Sequence, residues 1–202
     1  MSINVVLFDL GGVLVELGGM GDLRFLASDA RDDELWRRWL ECPWVRRFER
    51  GECDAETFAR GIVEAWSMPI TPSAFLETFA AWPRGWLPGA RELVESMLSD
   101  LRIGCLSNTN ALHAERHWTR LGIPELFEER FLSHEMGVVK PDREIFDRVV
   151  ETLGCPAEAV LFLDDNQINV EGARAAGLHA ERVRGPSEAR RALVDRGLLP
   201  RS

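Results

Sequence analysis

The sequence predicts an α/β protein: a doubly wound parallel sheet with a small all-helical domain inserted after the first strand. Three observations carry that prediction. Short, nearly continuous apolar runs end in polar residues, at Asp9, at Ser107-Asn108 and at Asp164-Asp165. From Pro88 onward such runs alternate with amphipathic segments, which is the pattern of a parallel sheet covered by helices. Between about Asp22 and Trp86 the chain changes character and becomes rich in Trp, Arg and Glu, with apolar residues at helical spacing.

Each element follows from local pattern. Residues 4–10 are apolar except for Asn4 and Asp9, the signature of a strand buried on both faces. The run turns through Gly11-Gly12 into a second apolar stretch, 13–17, and then into Gly18-Gly19-Met20-Gly21. That glycine-rich run lacks the spacing of a dinucleotide fingerprint and reads as a hinge into the insertion. Within the insertion, Leu35, Trp36, Trp39 and Leu40 form one stripe. Phe58, Ala59, Ile62, Val63 and Trp66 form another, and Asp54 stands where an N-cap belongs. Pro43, Pro69, Pro72 and Pro83 punctuate four or five helices. Most of the tryptophans read as core. The α/β pattern then resumes with a helix over 88–99 that turns Leu93, Val94, Met97 and Leu98 inward. Strands are expected at 101–106, 130–133, 160–163 and 180–183, and helices at 111–121, 141–153, 171–176 and 187–196. The expected division is a Rossmann-like core of 1–16 and 87–202, with 17–86 as the helical insertion.

Composition narrows the functions. A body of 202 residues buries about 70% of its unfolded surface and needs no disulfide or structural metal. A net charge of −9 argues against nucleic acid and anionic membranes as partners. The apolar runs are far shorter than the roughly 20 residues of a membrane span. The opening Met1-Ser2-Ile3-Asn4 has no basic region, so a secretory signal is not expected. Cys42, Cys53, Cys105 and Cys155 show no metal or redox spacing and read as thiols in a reducing cytoplasm. Both a monomer and a homodimer are compatible with the sequence.

The chemistry-bearing residues lie at strand ends. In a parallel sheet Asp9, Ser107-Asn108 and Asp164-Asp165 emerge at one edge, and Lys140 precedes a helix beside them. Carboxylates from two strands suit a hard cation such as Mg²⁺. A hydroxyl next to a helix N-terminus suits a phosphate, and a lysine adds a compact positive charge. A carboxylate facing a metal-bound phosphate can act as the nucleophile. Each group also has a plainer reading: turn residue for Asp9, helix caps for Ser107-Asn108 and Asp164-Asp165, surface lysine for Lys140. Their joint occurrence favours the site. His113 and His117 stand four apart, a spacing that can bind zinc, with no obvious third ligand. His134 and His179 read as ordinary. Arg37-Arg38 and Arg46-Arg47 with Arg50 read as a solvated face, or as arginines that meet the distal part of a substrate.

Four segments, Phe8 to Leu14, Leu106 to Asn110, Val139-Lys140-Pro141 and Phe162 to Asn166, resemble in order and spacing the four motifs of the haloacid dehalogenase superfamily. The resemblance covers the whole chain and implies a helical cap over the substrate. It implies Asp9 as nucleophile and Mg²⁺ ligand, the Gly11 carbonyl and Asp165 as further ligands, and Asp164 as their support. It implies Ser107 and Asn108 as phosphoryl binders and Lys140 as neutraliser of the phosphate and of Asp9. The chain departs from the superfamily's phosphatases at Gly11, where these usually carry a second Asp as general acid and base. Glu16 and His113 are the candidate replacements. The branch resembling bacterial glucose-1-phosphate phosphatases shares the Asp-Leu-Gly opening and the run Ser107 to His113. The expected function is a Mg²⁺-dependent phosphatase acting on a small phosphorylated metabolite, a sugar 1-phosphate foremost. The alternatives are a dehalogenase using Asp9 on carbon, and a non-catalytic phosphate-ligand binding or regulatory protein.

Overall fold

The computed structural model describes residues 2–18 and 32–200. Strand β1 (Val5–Phe8) turns into β2 (Val15–Leu17), and the described part of the insertion holds α1 (Asp32–Glu41), α2 (Pro43–Glu49), α3 (Ala55–Ala65) and α4 (Pro72–Ala80). The chain returns through β3 (Pro83–Trp86) and α5 (Ala90–Glu95). It continues through β4 (Arg102–Ser107), α6 (Ala111–Leu121), the single turn α7 (Ile123–Leu126), β5 (Glu129–Leu132) and the single turn α8 (Ser133–Met136). Then come α9 (Arg143–Leu153), β6 (Val160–Asp164), α10 (Gln167–Ala175), β7 (His179–Arg182) and α11 (Gly185–Asp195).

The main sheet is parallel throughout, in the order β5-β4-β1-β6-β7. The chain moves outward from β1 through β4 to β5, then returns to the other side of β1 for β6 and β7. The strand order therefore reverses at β1, and a crevice opens off the carboxyl ends of β1, β4 and β6. All four residues of β1 are fully buried. Val6 and Phe8 share one cluster with Leu93 of α5, Trp118 of α6 and Leu193 of α11. Val5 and Leu7 share the opposite cluster with Ile145, Phe146 and Val149 of α9 and Val170 of α10. Helices on both faces explain why the strand sequences are apolar without alternation.

The insertion has a hydrophobic cluster of its own. Trp39 sets its ring against Phe58, Trp66, Phe79 and Trp82. Asp54 caps α3 as expected, accepting from the Thr57 N–H at 2.7 Å.

The structure corrects the all-helical reading of the insertion at its end. Pro83–Trp86 is a strand, paired antiparallel with β2 so that Val15 faces Trp86 and Glu16 faces Gly85. Pro83 lacks the N–H that a continuing helix needs, and the apolar run 13–17 supplies an edge to pair with. Helix α5 is shorter than expected. It starts after Gly89 in the left-handed region, and Leu98 lies beyond its end, 38% exposed rather than inward. Helix α10 starts four residues early because Asn166 caps it, its side chain accepting from the Ile168 N–H at 3.0 Å. The proposed hinge falls largely on residues 19–21, which lie outside the described residues. Each cysteine is a free thiol. Among the described residues no helix is long and apolar enough to cross a membrane.

Candidate active site

Asp9 is the first residue beyond β1, and its N–H donates to the Leu163 carbonyl at 2.8 Å, which holds it level with the end of β6. Asp164 closes β6, and Asp165 follows. Lys140 approaches from the loop before α9. Its Nζ donates to Asp164 Oδ2 at 2.7 Å and to the Leu106 carbonyl at 3.1 Å, and it lies 3.0 Å from Asp9 Oδ1. The lysine side chain is 1% exposed and that of Asp164 is 0%. An ammonium this deep persists only with charged partners. Burial works against its charge, but Asp164 and Asp9 outweigh burial and hold its pKa above the ordinary lysine value.

The remaining valences of Asp164 are also filled. Oδ1 accepts from the Asn166 N–H at 2.7 Å, and the Asn169 side-chain amide donates to both carboxylate oxygens at 3.2 and 3.1 Å. Asp164 thus holds Lys140 and the start of α10 in place. Oxygens of Asp9, Asp164 and Asp165 lie within 4.8 Å of one another. Burial, opposed by Lys140 and aided by the two neighbouring carboxylates, pushes the Asp9 carboxyl up to about 7. Burial and then Asp164 push Asp165 up to about 6. Three carboxylates facing one ammonium leave negative charge in excess, which is the condition a hard divalent cation satisfies with all-oxygen ligands.

The loop after Asp9 is shaped around this cluster. Gly12 has φ +71, and a Cβ there would sit 2.4 Å from Asp165 Oδ2. The backbone of Gly12 therefore passes directly beneath the Asp165 carboxylate, a fit only glycine allows. At Gly11 a Cβ would stand 2.5 Å from Leu17 Cδ1, so Leu17 fills the space that a side chain at that position would take.

Ser107 ends β4 and is buried. The Asn108 side chain is committed to the backbone of Lys140: Oδ1 accepts from the Lys140 N–H at 2.9 Å, and Nδ2 donates to the Lys140 carbonyl at 3.1 Å. It fixes the lysine-bearing loop against β4. Asp9, Ser107, Asn108, Lys140, Asp164 and Asp165 therefore converge, and Gly11 lies in the adjoining loop.

The two candidate proton carriers have other partners. Glu16 is exposed on the β2–β3 ribbon and pairs with Arg84 at 3.6 Å. His113 has Nδ1 3.2 Å from the Asn110 side-chain nitrogen and Nε2 2.8 Å from the Phe79 carbonyl, which ties α6 to α4. The side chain of His117 lies outside the described residues. Arg46 and Arg50 are partly exposed, but their guanidinium groups are engaged by a carboxylate. The Arg46 guanidinium donates to both carboxylate oxygens of Asp142, at 2.8 and 2.7 Å, and Arg50 joins at 2.7 Å. Arg38 stacks over Trp66 with 4.2 Å from its guanidinium carbon to the ring centroid.

Sequence reasoning missed Glu49, Asn169 and Asp142. Glu49 ends α2 and keeps partial solvent access. Burial pushes its carboxyl up to about 7, against the pull of Lys140, of Arg46 and of the Asn108 side-chain amide. The available signal was a carboxylate set among Arg46, Arg47 and Arg50, which reads equally well as a solvated helix face.

The chain belongs to the haloacid dehalogenase-like hydrolase family, whose family model matches residues 3–177. It is 28% identical to a phosphatase from Mycobacterium tuberculosis, over 96% of this chain and 93% of that protein. It is also 28% identical to a phosphoserine phosphatase from Thermus thermophilus, over 93% of this chain and 82% of that one. Among solved structures, a family hydrolase from Porphyromonas gingivalis superposes with a TM-score of 0.76 at 23% identity, covering 100% of both chains. A family enzyme from Bacteroides thetaiotaomicron, solved in complex with magnesium and inorganic phosphate, superposes with a TM-score of 0.70 at 24% identity over 90% of this chain and 94% of that one.

Proposed function

We propose that the protein is a Mg²⁺-dependent phosphatase of small phosphorylated metabolites, sugar 1-phosphates foremost, working through an aspartyl-phosphate on Asp9. The observation that carries this reading is the buried Lys140, which touches Asp9 and Asp164 at once within a cluster that also brings in Asp165. The names of the phosphatase relatives support the same reaction class.

Asp9, Asp165 and the Gly11 carbonyl would hold the Mg²⁺, with Asp164 supporting from beside them. Bound there, the ion supplies neutralisation of the phosphoryl oxygens and of the clustered carboxylates. Asp9 attacks phosphorus in line with the leaving oxygen. Lys140 offsets charge on the transferring group and keeps Asp9 oriented. The Ser107 hydroxyl and the backbone amide of Asn108 hold the phosphoryl oxygens at the end of β4. Water then cleaves the Asp9–phosphoryl bond. The division into a core of 1–16 and 87–202 and a cap of 17–86 belongs to the same reading, with the helices of the insertion closing over the substrate and excluding water. A cytoplasmic location fits the free thiols.

Attack of Asp9 on a carbon–halogen bond has no use for a divalent ion, and so gives no reason for Asp165 to crowd Asp164 beside the nucleophile. That crowding favours phosphate chemistry. A non-catalytic ligand binder likewise has no need of a buried, lysine-paired nucleophile. The test is a phosphate-ester panel run in chelator and then with Mg²⁺. Phosphate release that depends on Mg²⁺, strongest for anomeric sugar phosphates, is expected. Metal-independent halide release, or tight binding of phosphate esters without turnover, contradicts the reading.

A further inference from the structure

We propose that Glu49, carried on the insertion, donates the proton to the leaving group and then accepts one from the attacking water, the role that glycine at position 11 leaves unfilled. The inference rests on the phosphatase reading of the same site and adds to it the residue that moves the protons.

Two observations exclude a donor from the nucleophile loop and its surroundings. The space beside Gly11 is occupied by Leu17. Glu16 is drawn to Arg84, and both ring nitrogens of His113 have partners on α4 and Asn110. Glu49 ends the helix that is tied to the lysine-bearing loop, and its carboxyl lies near the Asn108 side chain and within the field of Lys140, the residue that touches Asp9. Asn108 uses one amide hydrogen on the Lys140 carbonyl, so a second amide hydrogen remains on the side that can meet a carboxylate.

The position is built, not incidental. Arg46, nearly one turn before Glu49, and Arg50, the next residue, both close on Asp142, two residues past Lys140. Gly51 comes so near α8 that a Cβ there would lie 2.6 Å from the His134 carbonyl. The end of α2 is thus latched to the loop that carries the lysine. The charged groups around Glu49 are Lys140 and Arg46, with Asp142 already neutralised by Arg46 and Arg50. A carboxyl titrating near neutrality has both forms populated where proton transfer is most efficient, and its partial exposure lets it exchange protons with water.

The step balances. As the Asp9–phosphorus bond forms and the bond to the leaving oxygen breaks, the Glu49 proton passes to that oxygen and an alcohol departs. The resulting Glu49 carboxylate takes a proton from the water that attacks the aspartyl-phosphate. Inorganic phosphate leaves, Asp9 is a carboxylate again, and Glu49 is protonated.

The experiment compares wild type, Glu49→Gln and Asp9→Asn on phosphate esters of graded leaving-group acidity, from p-nitrophenyl phosphate to an alkyl phosphate. Glu49→Gln is expected to lower kcat/KM, which reports the steps up to departure of the leaving group, by about 10²–10⁴-fold for the alkyl ester. For p-nitrophenyl phosphate, whose leaving group needs no proton, the loss in kcat/KM is expected to stay under about tenfold, while kcat falls for both esters because the attacking water loses its base. Equal loss of kcat/KM for all esters, or no loss, overturns the proposal. Should the variant not fold, the wild-type enzyme decides alone: a shallow dependence of kcat/KM on leaving-group acidity supports proton donation, and a steep one contradicts it. A wild type inactive on every ester, or an active Asp9→Asn, overturns the phosphatase reading itself, and with it this inference. Mg²⁺-dependent turnover with a leaving-group-blind Glu49→Gln overturns this inference alone.

Discussion

Lys140 Nζ stands 3.0 Å from Asp9 Oδ1, with the lysine side chain 1% exposed and the aspartate side chain 12%. Asp164 and Asp9 together hold the lysine charged at this depth. Replacing Lys140 with Met leaves Asp9 and Asp164 facing each other unneutralised. Removing one partner of a buried pair typically costs about 3–5 kcal/mol. The expected result is a lower Tm in chelator and phosphatase activity reduced at least about a hundredfold. Wild-type activity in Lys140→Met would mean that the lysine serves packing alone.

The carboxylate cluster links pH, metal and stability. The carboxyls of Asp9 and Asp165 rise from an ordinary value of 3.8 to about 7 and about 6 in the fold. A group whose pKa is raised on folding favours the folded state while protonated. That contribution is complete below about pH 4 and is lost as pH rises through 6 to 7. In chelator, Tm is expected to fall from about pH 5 to about pH 8. Mg²⁺ must displace these protons, so it is expected to raise Tm more at about pH 8 than at about pH 5. Thermal melts with and without Mg²⁺ across that range check the sign.

The latch between Arg46, Arg50 and Asp142 separates stability from activity. The pairs are 26–39% exposed, so solvent screens them and each is worth about 0–1 kcal/mol. Asp142→Asn is therefore expected to change stability by less than about 1 kcal/mol. It frees the end of α2 from the lysine loop, and kcat on alkyl phosphates is expected to fall about tenfold, since small misplacements of a positioned group are costly. Paired unfolding and kinetic measurements on this variant test both halves.

Much of this was legible in the sequence, for a definable reason. Residues 5–8 and 160–163 are buried on both faces, so their apolar runs announced strands, and the polar residues that end them announced the site. Asp54 was readable as a cap because the requirement is local. The strand Pro83–Trp86 was not, because it exists only through pairing with residues 15–17 far away in the chain. Glu49 was hidden for the same kind of reason. Nothing within its own helix distinguishes it from a solvated glutamate, and its raised pKa comes from burial near Asn108 and Lys140, which only the tertiary fold brings about. Asn108 shows the converse: its place beside Ser107 was legible, but the commitment of its side chain to the Lys140 backbone was not.

The most direct test of the central claim is to quench turnover in acid, trap any acyl-phosphate and map it to a residue by peptide mass. With Mg²⁺ and a turned-over phosphate ester, the phosphoryl group is expected on Asp9 and absent when the metal is chelated. Steady turnover with no phosphoryl group on Asp9, or with the group on another residue, would contradict the account.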